Sequence, residues 1–202
     1  MRYFSSDQHF GHENIIRFCA RPYANAGEMG HDLVRRWNEV VGPDDEIWVL
    51  GDVAMKKGLE GMRPLHQAHG VKLLVPGNHD KCWAPKRKGD DPDADYEAVG
   101  FTVKGSSEFL TIAGRHVELC HFPFASIPEY GSEDSGYVDK FAAYRPADRG
   151  QWLLCGHIHE RWRQRGRAIN VGVDAWGGYP VSEEVIAELI AAGPADREPL
   201  AW

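Results

Sequence analysis

No apolar run in these 202 residues approaches the roughly 20 positions that a membrane-spanning helix needs. No membrane partner is therefore expected. The opening, Met1-Arg2-Tyr3-Phe4 running into Ser5, Ser6 and Asp7, lacks a basic-then-apolar export signal, so a cytoplasmic location is expected. Cysteine is scarce: Cys19, Cys82, Cys120 and Cys155 are scattered and form no C-x-x-C pair. That pattern excludes a dense disulfide framework and predicts reduced thiols. An excess of positive charge is also missing. With 23 Lys and Arg against 30 Asp and Glu, the net charge is -7, unlike a generic nucleic-acid-binding surface. Internal repeats and linkers are absent, and the length suits one sizeable core, so residues 1–202 are read as a single domain.

What is present is a series of short apolar runs that each end in metal-ligating residue types. Val71 to Val75 reads as a buried strand broken by Pro76 and Gly77, and Asn78-His79-Asp80 follows at once. Arg2 to Ser6 leads to Asp7-x-His9, and Glu46 to Leu50 leads to Gly51-Asp52. Val117 to Cys120 leads to His121, and Trp152 to Cys155 leads to Gly156-His157-Ile158-His159. The C-terminal ends of strands are where open α/β sheets bind ligands. Cys120 and Cys155 alternate away from the neighbouring histidines and are not expected to be ligands.

Between these runs the spacing predicts helices over Asn14 to Cys19, Glu28 to Val41 and Gly58 to His69. Strand–helix alternation over the first 75 residues implies a parallel sheet. Lys81 to Asp95, with little to bury, reads as a loop. Phe101 to Lys104, Glu108 to Ile112 and His116 to Cys120 read as short strands. Phe122 to Gly136 is expected to be a loop and Val138 to Tyr144 a short helix. Arg161 to Gly166 reads as a basic turn, Arg167 to Val173 as a strand and Pro194 to Trp202 as a tail. Ser182 is expected to cap a last helix, Glu183 to Ala192.

Asp7, His9, Asp52, Asn78, His121, His157 and His159 are too many ligands for one ion that keeps open positions. They suit two divalent cations sharing a carboxylate bridge, for which Asp52 is the natural choice. The donor types suit Mn²⁺, Fe, Zn²⁺ or Ni²⁺, and Mn²⁺ is the expected ion. Period-two spacing should put Asp7 with His9, and His157 with His159, on one side of the chain.

The ordered set of five motifs, from Asp7-x-His9 to Gly156-His157-x-His159, resembles the calcineurin-like metallophosphoesterases. Phe10-Gly11-His12-Glu13-Asn14-Ile15-Ile16 is similar to a small bacterial and phage branch of them. The resemblance implies an α/β fold, a four-layer α/β/β/α sandwich of two mixed sheets flanked by helices. It assigns Asp7, His9, Asp52 and His159 to one metal, and Asp52, Asn78, His121 and His157 to the other. A metal-bridging hydroxide would be the nucleophile and His79 the general acid. Gly51-Asp52 continues Val53-Ala54-Met55-Lys56, without the second aspartate and the arginine of the protein phosphatases. A phosphodiesterase acting on a nucleotide or other small phosphodiester is therefore expected. A phosphomonoesterase or pyrophosphatase on a small metabolite, and a nuclease, are the alternatives.

Secondary candidates surround this set. Asp80 would either orient an imidazole or cap a turn. His12, Asn14, Arg17 and Arg21 are candidate substrate contacts, although Asn14 suits a helix cap and both arginines suit solvent or salt bridges. The basic runs Lys81-Lys86-Arg87-Lys88 and Arg161-Arg163-Arg165-Arg167 would rim the site for a polyanion or remain solvated. Trp83 and Trp162 would stack a base or pack.

Overall fold

Strict alternation builds the first sheet. In the strands Arg2–Ser5 (β1), Glu46–Val49 (β2) and Val71–Leu74 (β3), Phe4, Trp48 and Leu73 face one way, while Tyr3, Ile47, Val49 and Leu74 face the other. Both faces are apolar, so the sheet is covered on both sides. The structure is a computed structural model and describes residues 1–55, 59–86, 91–128 and 139–202.

The remaining strands, in chain order, are Phe101–Val103 (β4), Ser107–Ile112 (β5), Arg115–Cys120 (β6), Trp152–Cys155 (β7), Gln164–Gly166 (β8), Ala168–Asn170 (β9), Val181–Ser182 (β10) and Ala195–Arg197 (β11). Among the described residues they form two mixed sheets, ordered β10-β1-β2-β3-β4 and β11-β8-β9-β7-β6-β5. The fold is thus mixed α/β. Leu50, Val75, Val117, Leu119, Leu154 and Ile169 fill the core between the sheets. Each fully buried side chain of this size contributes roughly 1.5–3 kcal/mol.

The helices are Glu13–Phe18 (α1), Ala26–Val40 (α2), Leu59–Met62 (α3), Ala94–Glu97 (α4) and Glu183–Ala192 (α5). Helix α2 buries Met29, Leu33, Val34 and Trp37 against the outer face of the first sheet. Its start is set by Asn25, whose side chain accepts from Glu28 N at 2.8 Å. Ser182 caps α5 as expected. The outer face of the second sheet is covered by Phe122, Phe124, Ile158 and Trp162, carried on loops and short 3₁₀ turns.

Several local expectations are corrected. The Gly58 to His69 helix is α3 followed by a 3₁₀ turn, Arg63–Gln67, because Pro64 lies at its start; Gly58 itself falls outside the described residues. The 81–95 segment does bury side chains: Cys82 and Trp83 enter the interior, and α4 starts within it. Arg87 and Lys88 fall outside the described residues, as do most of the loop after Ile127 and Val138. Ala142–Tyr144 is a 3₁₀ turn. The basic turn is partly strand β8, whose partner is the supposed tail, now β11. Trp202 meets Tyr23 edge-on at 5.6 Å.

The sheets come together where the site lies. Just beyond β1 and β9, Ser6 bridges Gly172 in parallel register, and Val173 N donates to Ser6 O at 3.1 Å. The C-terminal ends of strands from both sheets therefore open onto one place.

Candidate active site

Five of the seven expected ligands have left-handed backbone: Asp7 (φ 58°), His9 (φ 53°), Asp52 (φ 55°), His157 (φ 71°) and His159 (φ 49°). This overturns the period-two argument, because these residues lie beyond their strands and no pleat orients them. Asp and His visit this region more readily than most residues, but each instance costs on the order of 1–3 kcal/mol and needs outside support. Support comes from the adjoining loop. Asp7 N donates to Gly51 O and His9 N to Asp52 O, each at 3.0 Å.

Glycines allow the close approach. A Cβ at Gly156 would lie 2.2 Å from Ser6 Oγ and 2.4 Å from Asp7 Oδ2. One at Gly77 would lie 2.4 Å from Asp52 Oδ1. No side chain fits at either position.

The ligand atoms of Asp7, His9 and His159 lie within 4.8 Å of one another, as do those of Asp7, Asp52 and His121. Asp52 Oδ2 lies 3.6 Å from His9 Nε2 and 3.5 Å from His121 Nε2, between the two groups. Asn78 Oδ1 lies 3.0 Å from His121 Nε2, and the His157 ring is 5.2 Å from that of His121. All seven expected ligands thus converge.

The donor set fits cations. His9 is 1% exposed, yet neither of its ring nitrogens has a hydrogen-bond partner. Leaving such atoms unpaired is costly, and a cation would satisfy one of them. Burial holds His9 well below the ordinary imidazole range. At His121 burial works against charge, yet the Asp52 carboxylate pushes it up to about 9. Burial would raise Asp52, but His121 and His9 hold it well below the usual carboxylate range. A proton on His121 occupies the place a cation would take, so cation binding releases protons.

Orientation of the imidazoles comes from their other nitrogens. His121 Nδ1 donates to Leu50 O at 2.7 Å, which turns Nε2 toward Asn78 Oδ1 and the Asp52 carboxylate. His159 Nδ1 donates to Asp174 Oδ2 at 2.8 Å. Carboxylate–imidazole pairs of this kind raise ligand basicity and fix the ring. Asp174 was not singled out from the sequence. The signal was there: it follows the Arg167 to Val173 run as Asp52 follows its own strand. Asn170 was missed as well. It holds the His159 loop by donating to His159 O at 2.7 Å and Trp162 O at 2.9 Å.

Asp80 caps a turn and does more. Its carboxylate accepts from Gly77 N and Asp52 N at 2.8 Å and from Val53 N at 3.1 Å, tying two ligand loops together. Burial and the Asp52 charge push it up to about 7 against the pull of those amides. Asp80→Ala would leave three buried amides unpaired, each costing roughly 1–3 kcal/mol. We expect Tm to fall by about 6–12 °C or more in thermal unfolding, whereas an unchanged Tm would show that the loops hold each other without it.

Of the secondary candidates, His12 lines a cavity of about 540 Å³ together with His9, His79, His157 and His159. Asn14 and Arg17 are exposed and do not line it, and the residue at the N-cap of α1 is His12. Arg21 is corrected as a substrate contact, and its salt-bridge reading holds. Its side chain is fully buried, and it donates to both Asp174 oxygens at 2.7 Å, to Asp7 O at 2.7 Å and to Gln8 O at 2.8 Å. It is a brace under the ligand loops and has no donor left for substrate. Trp83 and Trp162 are buried and stack no base. In the second basic run, Arg163 lies over Trp176, Arg165 pairs with Asp196 and Arg167 with Asp148, so only Arg161 lines the cavity.

Buried acidic and imidazole donors on loops at strand ends, with an open cavity beside them, are the arrangement of a metal-dependent hydrolase. A family model, the calcineurin-like phosphoesterase superfamily domain, matches residues 6–176, and the chain belongs to that family of phosphoester hydrolases. It is 32% identical to the gene 66 protein of mycobacterium phage L5 over 93% of both chains. It is 28% identical to the protein MJ1445 of Methanocaldococcus jannaschii over 96% of this chain and 94% of that one. Among solved structures, the protein AQ665 of Aquifex aeolicus superposes with a TM-score of 0.66 at 26% identity, covering 94% of this chain and 98% of that one.

Proposed function

We propose that this protein is a two-metal phosphodiesterase acting on a nucleotide or another small phosphodiester, as one domain over residues 1–202. Asp7, His9, Asp52 and His159 would hold one cation, and Asp52, Asn78, His121 and His157 the other, with Mn²⁺ the best match to these donors. Bound there, the cations would lower the pKa of a coordinated water and neutralise phosphoryl charge.

The chain's own groups supply the rest. Asp174 and Leu50 hold His159 and His121 in the tautomer that presents Nε2. His79 is the observation that carries the reading. Its side chain is 39% exposed and lines the cavity, while its neighbour Asn78 is buried among the ligands. A water oxygen attacks phosphorus, the ester P–O bond breaks, and His79 delivers the proton that the departing oxygen needs.

The side chains beside the proposed cations support a diester: among the described residues, Arg161 is the only arginine or lysine that lines the cavity, so the chain itself adds a single cationic group for a phosphoryl oxygen. The engaged arginines of the second basic run give no support to a nuclease. Four buried free thiols support a cytoplasmic setting. No helix among the described residues is long and apolar enough to cross a membrane.

Elemental analysis of reloaded protein should approach about two equivalents of Mn²⁺ per chain. Saturation at one equivalent would break the Asp52 bridge. Loaded protein should hydrolyse bis(4-nitrophenyl) phosphate faster than 4-nitrophenyl phosphate, and the reverse order would replace the diester reading with the monoester one.

A further inference from the structure

The cavity beside the ligands has a second wall, and that wall is apolar. Ile15, Phe18 and Cys19 of the α1 segment face it on one side, and Met55 and Ile158 also line it. Ile15 and Cys19 are buried and anchor the segment to the core. Phe18 lies one position before Cys19 and is 61% exposed. None of the other large apolar side chains exposed among the described residues lines this cavity. An aromatic ring left in water beside a hydrolytic centre is unexplained by packing.

The ring has two polar neighbours. The edge-on His12 ring lies 6.4 Å away, and the Arg17 guanidinium, which does not line the cavity, lies 5.4 Å from the ring centroid. A phenylalanine has only two side-chain torsions to fix, so stacking on it loses little side-chain freedom. At about 540 Å³ the cavity exceeds the needs of a phosphoryl group and falls within the range that encloses a small organic ligand. Glu160 and Arg161 also line it.

Resting on the phosphodiesterase reading above, we propose that Phe18 is a stacking platform for the base of a nucleotide substrate, which makes it a specificity residue for the ester's nucleoside group. A flat heteroaromatic base matches an exposed ring on an apolar wall, whereas a short alkyl ester would leave Phe18 uncovered.

Two esters with the same leaving group test this. The 4-nitrophenyl ester of thymidine 5′-monophosphate and methyl 4-nitrophenyl phosphate both release 4-nitrophenolate and differ in the nucleoside. In Mn²⁺-loaded protein, kcat/KM should favour the nucleoside ester. Phe18→Ala should cut that preference by about 5–150-fold, the range expected for loss of one stacked base, and Phe18→Trp should retain it. The position is exposed, so the substitution leaves the core intact, and an unchanged metal content checks it. Equal use of both esters by the native protein, or an equal loss on both in Phe18→Ala, overturns the platform and leaves the phosphodiesterase standing. Hydrolysis of neither ester overturns the phosphodiesterase reading instead. Binding then decides the platform separately. By calorimetry, AMP should bind the native protein more tightly than ribose 5-phosphate, with the difference lost in Phe18→Ala. Equal affinity for the two overturns it.

Discussion

His79→Ala should keep its metal and lose about 10²–10⁴-fold in kcat on substrates with alkoxide or ribose leaving groups. The backbone of His79 already serves the site, since its N–H donates to Asp52 Oδ1 at 2.8 Å, and alanine preserves that bond. Only the ring is removed. That ring stands in the cavity, with Nε2 3.9 Å from Asp52 Oδ2, outside the tighter contacts among the ligands. The defect should shrink with 4-nitrophenolate, a good leaving group that needs little protonation. Measuring kcat and bound metal for both kinds of substrate separates the outcomes. Loss of metal would make His79 a ligand or a structural donor. An equal loss on both substrates with metal retained would place its action on the phosphoryl oxygens.

Asp52→Asn should remove metal and activity together. The amide keeps the shape and can still accept from His79 N, but the charge between the His9 and His121 nitrogens is gone. Its amide nitrogen would also turn N–H donors toward nitrogens that need to accept or ligate. A cation that binds only the folded state raises Tm, and by more the tighter it binds. Mn²⁺ should therefore stabilise the native protein clearly and the variant far less, and turnover should fall to that of metal-stripped protein. Full activity with two bound equivalents in the variant would end the bridging assignment.

Asp52 and His79 were both legible in the sequence because strand ends are legible. A short apolar run and the break after it locate the end of a strand, and polar ligating residues that recur after five such runs are legible as a set, where any one alone would read as an ordinary polar residue. Period and punctuation are local properties, so Asp7, His9, Asp52, Asn78, His121, His157 and His159 could be picked out together with the α/β class. The helix of α2 and the Ser182 cap were readable for the same reason.

Other features depended on partners far away in the chain. Arg21 reads as a substrate contact or as a solvated or salt-bridged arginine because nothing nearby decides; Asp174, 153 positions away, takes its guanidinium into the interior. Asp80 had two readings until Gly77, Asp52 and Val53 were seen to point their amides at it. The tail became strand β11 only because β8 presented an unpaired edge. Phe18 looked like one more apolar position of a helix, and its exposure beside the ligands was settled by how α1 lies on the core. Local pattern determined which residues are proposed to carry the chemistry. Long-range packing determined their left-handed backbone, their charge states and which neighbours they serve, because burial and pairing are set by chain segments that sequence proximity does not connect.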